Sequence, residues 1–247
     1  MANPLPLFAL PGDDVVWTAT VSMTNEDADY PAENVQDRDP ANVAKSTTTS
    51  TVITITTASV QPVAVALINT NAETALFGAT AVTIPSTELD GQRVHGWLDM
   101  RAAPPTAGTS WTVTLSRSSG VVWIGRICLV TALRDLNLRY GLQMGRKRPG
   151  DIAITTRLGT ILRHGADIRT RWARGSVDRY EDETVLRQLE ANTEGSLTPF
   201  LFIPDEDTND AWFVSFGAND FSVGYPNLDV RDIPLAFEEL SGGPPNG

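Results

Sequence analysis

Asp205, Glu206, Asp207, Thr208, Asn209 and Asp210 place four carboxylates and an amide in six positions, between the apolar runs "SLTPFLFIP" and "AWFVSF". Oxygen ligands at alternate positions suit calcium, and close carboxylate pairs suit general acid and base work. Against a calcium loop, Asp205, Asp207 and Asn209 fall at ligand positions one, three and five. The sixth position, which needs Gly for its sharp turn, is Asp210, and the twelfth, which needs a bidentate Glu, is Phe216. The flanks read as strands instead of helices. The run therefore predicts a solvated hairpin loop with Asp and Asn in turn-forming roles, and neither a metal site nor a catalytic one.

Other chemistry is sparse. His95 in "GQRVHGWLDM" and His164 in "ILRHGAD" are the two imidazoles, and no serine or cysteine motif accompanies either, so both read as strand or turn residues and not as bases. GxSxG, HExxH, GxxxxGK[ST] and GxGxxG do not occur. Cys128 is the single cysteine, which excludes an internal disulfide and a Cys-based zinc site and fits a reducing compartment. The expectation is a protein that is not an enzyme, with no catalytic residues, no metal and no cofactor.

Charge says more. The net charge is −11, which disfavours general binding to nucleic acid. Residues 101–180 nevertheless hold 14 of the 19 Lys and Arg and only 4 Asp or Glu, a net of +10, and the remainder carries −21. Segregated signs suit head-to-tail association, one copy's basic face against another's acidic face. Arg146, Lys147, Arg148, Arg163, Arg169 and Arg171 are the residues expected at such an interface.

The elements that must position these groups are nearly all β-type. "STTTSTVITITT", "ATAVTIPS", "SWTVTLS", "VVWIGRICLV" and "IAITTRLGTILR" are rich in β-branched residues and separated by Gly, Pro and Asn. "ADIRTRWARG" alternates Ile168, Thr170 and Trp172 with Arg169, Arg171 and Ala173, the pattern of a half-exposed strand. One helix is predicted near 178–194, with Asp178 at its N-cap, Glu181 to Glu183 in the first turn, Leu186 and Leu189 on one side, and Gly195 after its end. No apolar run reaches the roughly 20 residues of a membrane span, and "MANPLPLFALPGDD" lacks the basic start of a signal peptide. A glycine-rich, basic stretch at 133–150 divides the chain. The prediction is a mainly β protein: an antiparallel jelly-roll sandwich over 1–135, then an α+β domain over 136–247 with the single helix.

Two stretches carry a resemblance. The order of Val185, Leu186, Leu189, Gly195, Pro199, Phe200, Phe202, Val214, Phe216, Leu235, Phe237 and Glu238 resembles the second half of tailed-phage minor tail proteins. Ala32, Asn34, Asp37, Pro40, Ser46, Ile53, Ile55, Val65, Leu67, Asn69 and Asn71 are similar in progression to the galactose-binding-like, or discoidin-like, sandwich that such proteins often bear. Together the two likenesses span roughly residues 15–240.

The resemblance implies a tail-tube-like fold for the C-terminal domain and a structural role at the distal tip of a siphophage-like tail. There the chain would form a ring or adaptor between the tail tube and the receptor-binding apparatus. Expected partners are copies of itself in a ring of six, or of three, together with the tail tube protein and hub or fibre proteins. DNA would pass through the channel without specific binding. The expected location is the virion tail, after synthesis in the host cytoplasm, with no membrane anchor. The alternative is a carbohydrate-binding, receptor-recognition module of the tail, in which Trp97 and Trp111 would stack on a sugar, against the plainer reading of both as core residues.

Overall fold

The computed structural model describes residues 6–84, 94–136, 143–147, 152–155, 161–164, 170–177, 180–193, 197–216, 224–227 and 230–240. The first strands are β1 (Leu7–Phe8), β2 (Thr20–Met23), β3 (Ala44–Lys45), β4 (Ser50–Val60), β5 (Ala64–Thr70), β6 (Thr74–Phe77), β7 (Thr80–Val82), β8 (Val94–Asp99), β9 (Gly108–Ser116) and β10 (Trp123–Val130). There follow β11 (Arg134–Asp135), β12 (Gln143–Lys147), β13 (Ile152–Thr155), β14 (Ile161–His164), β15 (Thr170–Val177), the helix α1 (Tyr180–Thr193), β16 (Phe200–Ile203), β17 (Trp212–Phe216), β18 (Gly224–Asn227) and β19 (Val230–Glu239). The protein is mainly β with one α-helix among the described residues, as its composition predicts. Asp178 and Gly195, the expected caps of that helix, lie outside the described residues.

Strands β2 to β10 form a two-sheet antiparallel sandwich. One sheet runs β2-β4-β9-β6-β7 and the other β3-β10-β5-β8. Period-two alternation decides which side chains meet: Ile53 and Ile55 of β4 and Val113 and Leu115 of β9 face Val65 and Leu67 of β5 and Ile127 and Leu129 of β10. Thr54 and Thr56, alternating with the isoleucines, lie on the less buried side, which is why "TVITIT" can be both polar and a strand.

β5 is buried along its whole length. A strand buried on both faces needs a second layer, and the C-terminal sheet supplies it. Ala64, Ala66 and Ile68 of β5 and Cys128 and Val130 of β10 pack against Leu201, Ile203 and Phe213. That third sheet runs β11-β1-β16-β17-β19-β15-β12, with β18 also paired to β19. Its other face meets α1: Leu186 and Leu189 pack with Phe200, Phe202, Val214 and Phe237. β16 thus alternates Phe200 and Phe202 toward the helix with Leu201 and Ile203 toward the sandwich.

The sheet of the C-terminal half is completed by the chain's first strand. β1 lies between β11 and β16, pairing Leu7 with Asp135 and Ile203, and Phe8 with Arg134 and Phe202. The division expected at residue 135 therefore falls at a strand of this sheet, and residues from both sides of it share one apolar layer. No helix among the described residues is long and apolar enough to cross a membrane.

Candidate functional site

The acidic run joins β16 to β17 as a hairpin connection, since Phe200, Leu201 and Phe202 pair with Val214, Phe213 and Trp212. Three of its four carboxylates, those of Asp205, Glu206 and Asp210, are engaged within the protein. Asp205 Oδ1 accepts from the Asp207 N–H at 3.0 Å, and its carbonyl accepts from the Thr208 hydroxyl at 2.8 Å. Asp210 Oδ2 accepts from the Trp212 indole at 2.8 Å. These are the local turn contacts that Asp and Thr make in preference to a regular ladder.

The loop is also docked onto the sandwich. The Trp97 indole N–H donates to the Thr208 carbonyl at 2.8 Å, and Arg101 Nη2 bridges Glu206 at 2.7 Å and Asp99 at 2.8 Å. Burial pushes the Asp99 carboxyl up, but side-chain and backbone hydrogen bonds from Arg101 outweigh it and hold the group below its ordinary value. Sequence spacing hides this docking, because the partners lie more than 100 positions apart. Among the described residues no group of three or more His, Cys, Asp or Glu is arranged to hold a metal ion.

Two buried polar constellations lie between the sandwich and the C-terminal sheet. Asp14, at the start of the 3-10 turn Val15–Thr18, accepts from Val16 N and Leu129 N at 3.1 Å each and from Arg126 Nη2 at 2.5 Å. The Arg126 guanidinium lies 3.8 Å over the Trp17 ring and 5.3 Å from that of Phe213. Burial works against the charge on Arg126, and the Asp14 carboxylate more than offsets it, raising its pKa. Cys128 beside them is fully buried, and burial, reinforced by Asp14, pushes its thiol far up. A thiol kept in that form is a poor nucleophile.

In the second constellation His95 Nδ1 accepts from the Asn69 backbone N–H at 3.0 Å, which leaves Nε2 to carry the ring proton, 3.3 Å from Glu239 Oε1. Both side chains are buried, His95 on β8 and Glu239 on β19. The approach places β8 of the sandwich beside β19 of the C-terminal sheet. Asn69 holds a positive φ of 55° and donates its side-chain amide to the Pro40 carbonyl at 2.7 Å. Pro40 reaches that close because residue 125 is Gly: a Cβ there would stand 2.1 Å from the same carbonyl oxygen.

The tryptophans sit in the apolar layers. Trp97 is 4% exposed, between the sandwich and the C-terminal sheet. Trp111 is 9% exposed, and Phe77 stacks on it at 5.7 Å between centroids and 14° between planes. Trp97 has no open face on which a sugar would lie, and both side chains are largely buried. Trp111 does reach one opening. At one end of the sandwich the two sheets part around a cavity of about 560 Å³, walled by Phe77 and Trp111 on one side, Leu98 and Met100 on the other, and Pro105, with Asp99 at its lining.

Of the basic strip, Arg146 and Lys147 lie on β12 and pair in register with Arg171 and Thr170 of β15, which puts Arg146 and Arg171 directly opposite each other. Arg163 lies on β14, paired with Ala153 of β13. Arg148 and Arg169 lie outside the described residues. β12 is the last strand of its sheet, and β13 and β14 pair only with each other among the described residues. His164 pairs with Ile152 at the end of the same hairpin.

No protein-family model and no curated protein sequence matches the chain.

Proposed function

We propose that this chain is a structural component of a phage tail tip, a ring or adaptor between the tail tube and the distal receptor-binding apparatus, acting by assembly and not by catalysis. The observation that carries the reading is the edge of the C-terminal sheet at β12, among the described residues. β12 ends the sheet with no further strand on its outer side among the described residues, and the hairpin β13–β14 joins no other strand there. A two-stranded hairpin is marginal in water, and an open sheet edge is a template for another chain. Both belong to the basic part of the sequence, whose +10 stands against −21 elsewhere.

A strand edge in the basic segment and acidic segments elsewhere in the chain suit copies meeting head to tail, and such contacts close into rings when the rotation permits. The expected neighbours are further copies, six or three to a ring, with the tail tube on one side and hub or fibre proteins on the other. The site is the virion tail, and DNA passes through without specific contact. The resemblance of the chain to minor tail proteins supports this reading.

Negative-stain electron microscopy and sedimentation of the purified full chain test it. Rings or short stacks, loosening as ionic strength rises above the physiological value, are expected because exposed charge pairs are screened. A monodisperse monomer at every concentration and salt, including in mixtures with tail tube protein, would count decisively against it.

A further inference from the structure

We propose that the cavity at the end of the sandwich is the receptor for Met144 of a second copy of this chain. The inference rests on the ring reading above and specifies one of its contacts. The cavity, about 560 Å³, lies within the roughly 300–1,000 Å³ of small binding pockets and is walled by Phe77, Trp111, Leu98, Met100 and Pro105. Its rim is acidic. Asp99 lines it, and Arg101 links Asp99 to Glu206 of the loop that also carries Asp205 and Asp207. Asp99 and Glu206 share the one guanidinium, and the same loop adds Asp205 and Asp207, so negative charge is in excess beside the cavity and the fitting occupant is an apolar side chain on a basic segment.

The chain contains one. Met144 is 52% exposed on β12, the terminal strand of the C-terminal sheet, and the sequence around it is "GLQMGRKR". Methionine is unbranched and polarizable, fills irregular gaps and makes favourable sulfur contacts with aromatic rings such as those of Phe77 and Trp111. The cavity exceeds what one methionine side chain needs and accommodates flanking backbone as well. Arg146 and Lys147 follow on the same strand and make the segment basic. Because knob and hole are different surfaces, the contact is heterologous and leaves each copy with one free knob and one free hole, the requirement for a ring. The acidic loop thus gains a role in partner choice, which charge complementarity sets more than affinity.

The test uses two full-length variants, Ala103→Cys at the cavity and Met144→Cys on β12, both at exposed positions, mixed in equal amounts and treated with a short bismaleimide. The native Cys128 is fully buried and contributes no background. A covalent dimer is expected in the mixture and in neither variant alone. Met144→Glu should raise the concentration needed for assembly about tenfold or more, and Met144→Leu should not. Rings in the microscope with no mixture-specific dimer would overturn this contact and leave the ring reading intact. Absence of both rings and dimer would remove the ring reading and this contact with it.

Discussion

The indole of Trp97 and the carbonyl of Thr208 are joined by a 2.8 Å hydrogen bond between residues 111 positions apart. Trp97 belongs to the sandwich sheet and Thr208 to the hairpin loop of the C-terminal sheet, so one bond pins the acidic run against the sandwich. The salt bridges of Arg101 to Asp99 and Glu206 pin it a second time. What looks in sequence like a free acidic loop is a clasp across two sheets.

Trp97→Phe keeps most of the ring in place and removes the donor. The expected loss is about 0.5–1.5 kcal/mol, the net worth of a typical intramolecular hydrogen bond, read from the urea midpoint. A variant as stable as the parent would show that the bond contributes nothing. Titration calorimetry of the parent with micromolar calcium should show no heat, since Asp205, Glu206 and Asp210 already accept hydrogen bonds from within the protein. Measurable calcium binding lost in Asp205→Asn would make the loop a metal site after all.

Asp14 and Arg126 form a buried ion pair, and removing one member leaves the other charged and unpaired. Asp14→Ala should cost about 3–5 kcal/mol. The double variant Asp14→Ala with Arg126→Met should be less destabilised than the sum of the two single changes, because no lone charge remains. Strict additivity in denaturant melts would argue that the two groups do not interact.

Leu189 on α1 is completely buried against Phe200 and Phe202. Leu189→Ala should lower stability by about 2–5 kcal/mol through lost burial and the cavity left behind. An unchanged melting temperature would mean the helix is not held on the sheet by this side chain.

Asp99 has a depressed pKa in the folded chain, and its unfolded value is about 3.8. A depressed carboxylate stabilises the fold above the unfolded value, and that contribution disappears as the pH falls through the lower folded value. Melting temperature should therefore decline below about pH 4 more steeply for the parent than for Asp99→Asn, which has no proton to take up. The difference should be small, because the pair is exposed and screened. Parallel curves for the two proteins across that range would refute the linkage.

The amino-acid sequence alone determined the local elements. The i, i+3 spacing of Leu186 and Leu189, with acidic residues ahead of them, marks a helix near 178–194, and α1 runs Tyr180–Thr193. The β-branched runs "TVITIT", "SWTVTLS" and "VVWIGRICLV" fall on β4, β9 and β10. The turn chemistry of the acidic loop was equally legible, since Asp205 bonds residues only two and three positions on.

Only the tertiary structure decided how those elements meet. Leu7 and Phe8, in a proline-rich stretch with no strand signal of its own, become the strand that completes the C-terminal sheet, because β11 and β16 leave a gap for them. The burial of β5 on both faces depends on a third sheet lying over the sandwich, and the pairing of Asp14 with Arg126 across 112 positions and the opening beside Trp111 depend on how distant parts of the sandwich half pack. Periodicity reports which side chains share a face of a strand. It carries no information on which other face will cover them, because that choice is made by packing between residues far apart in the chain.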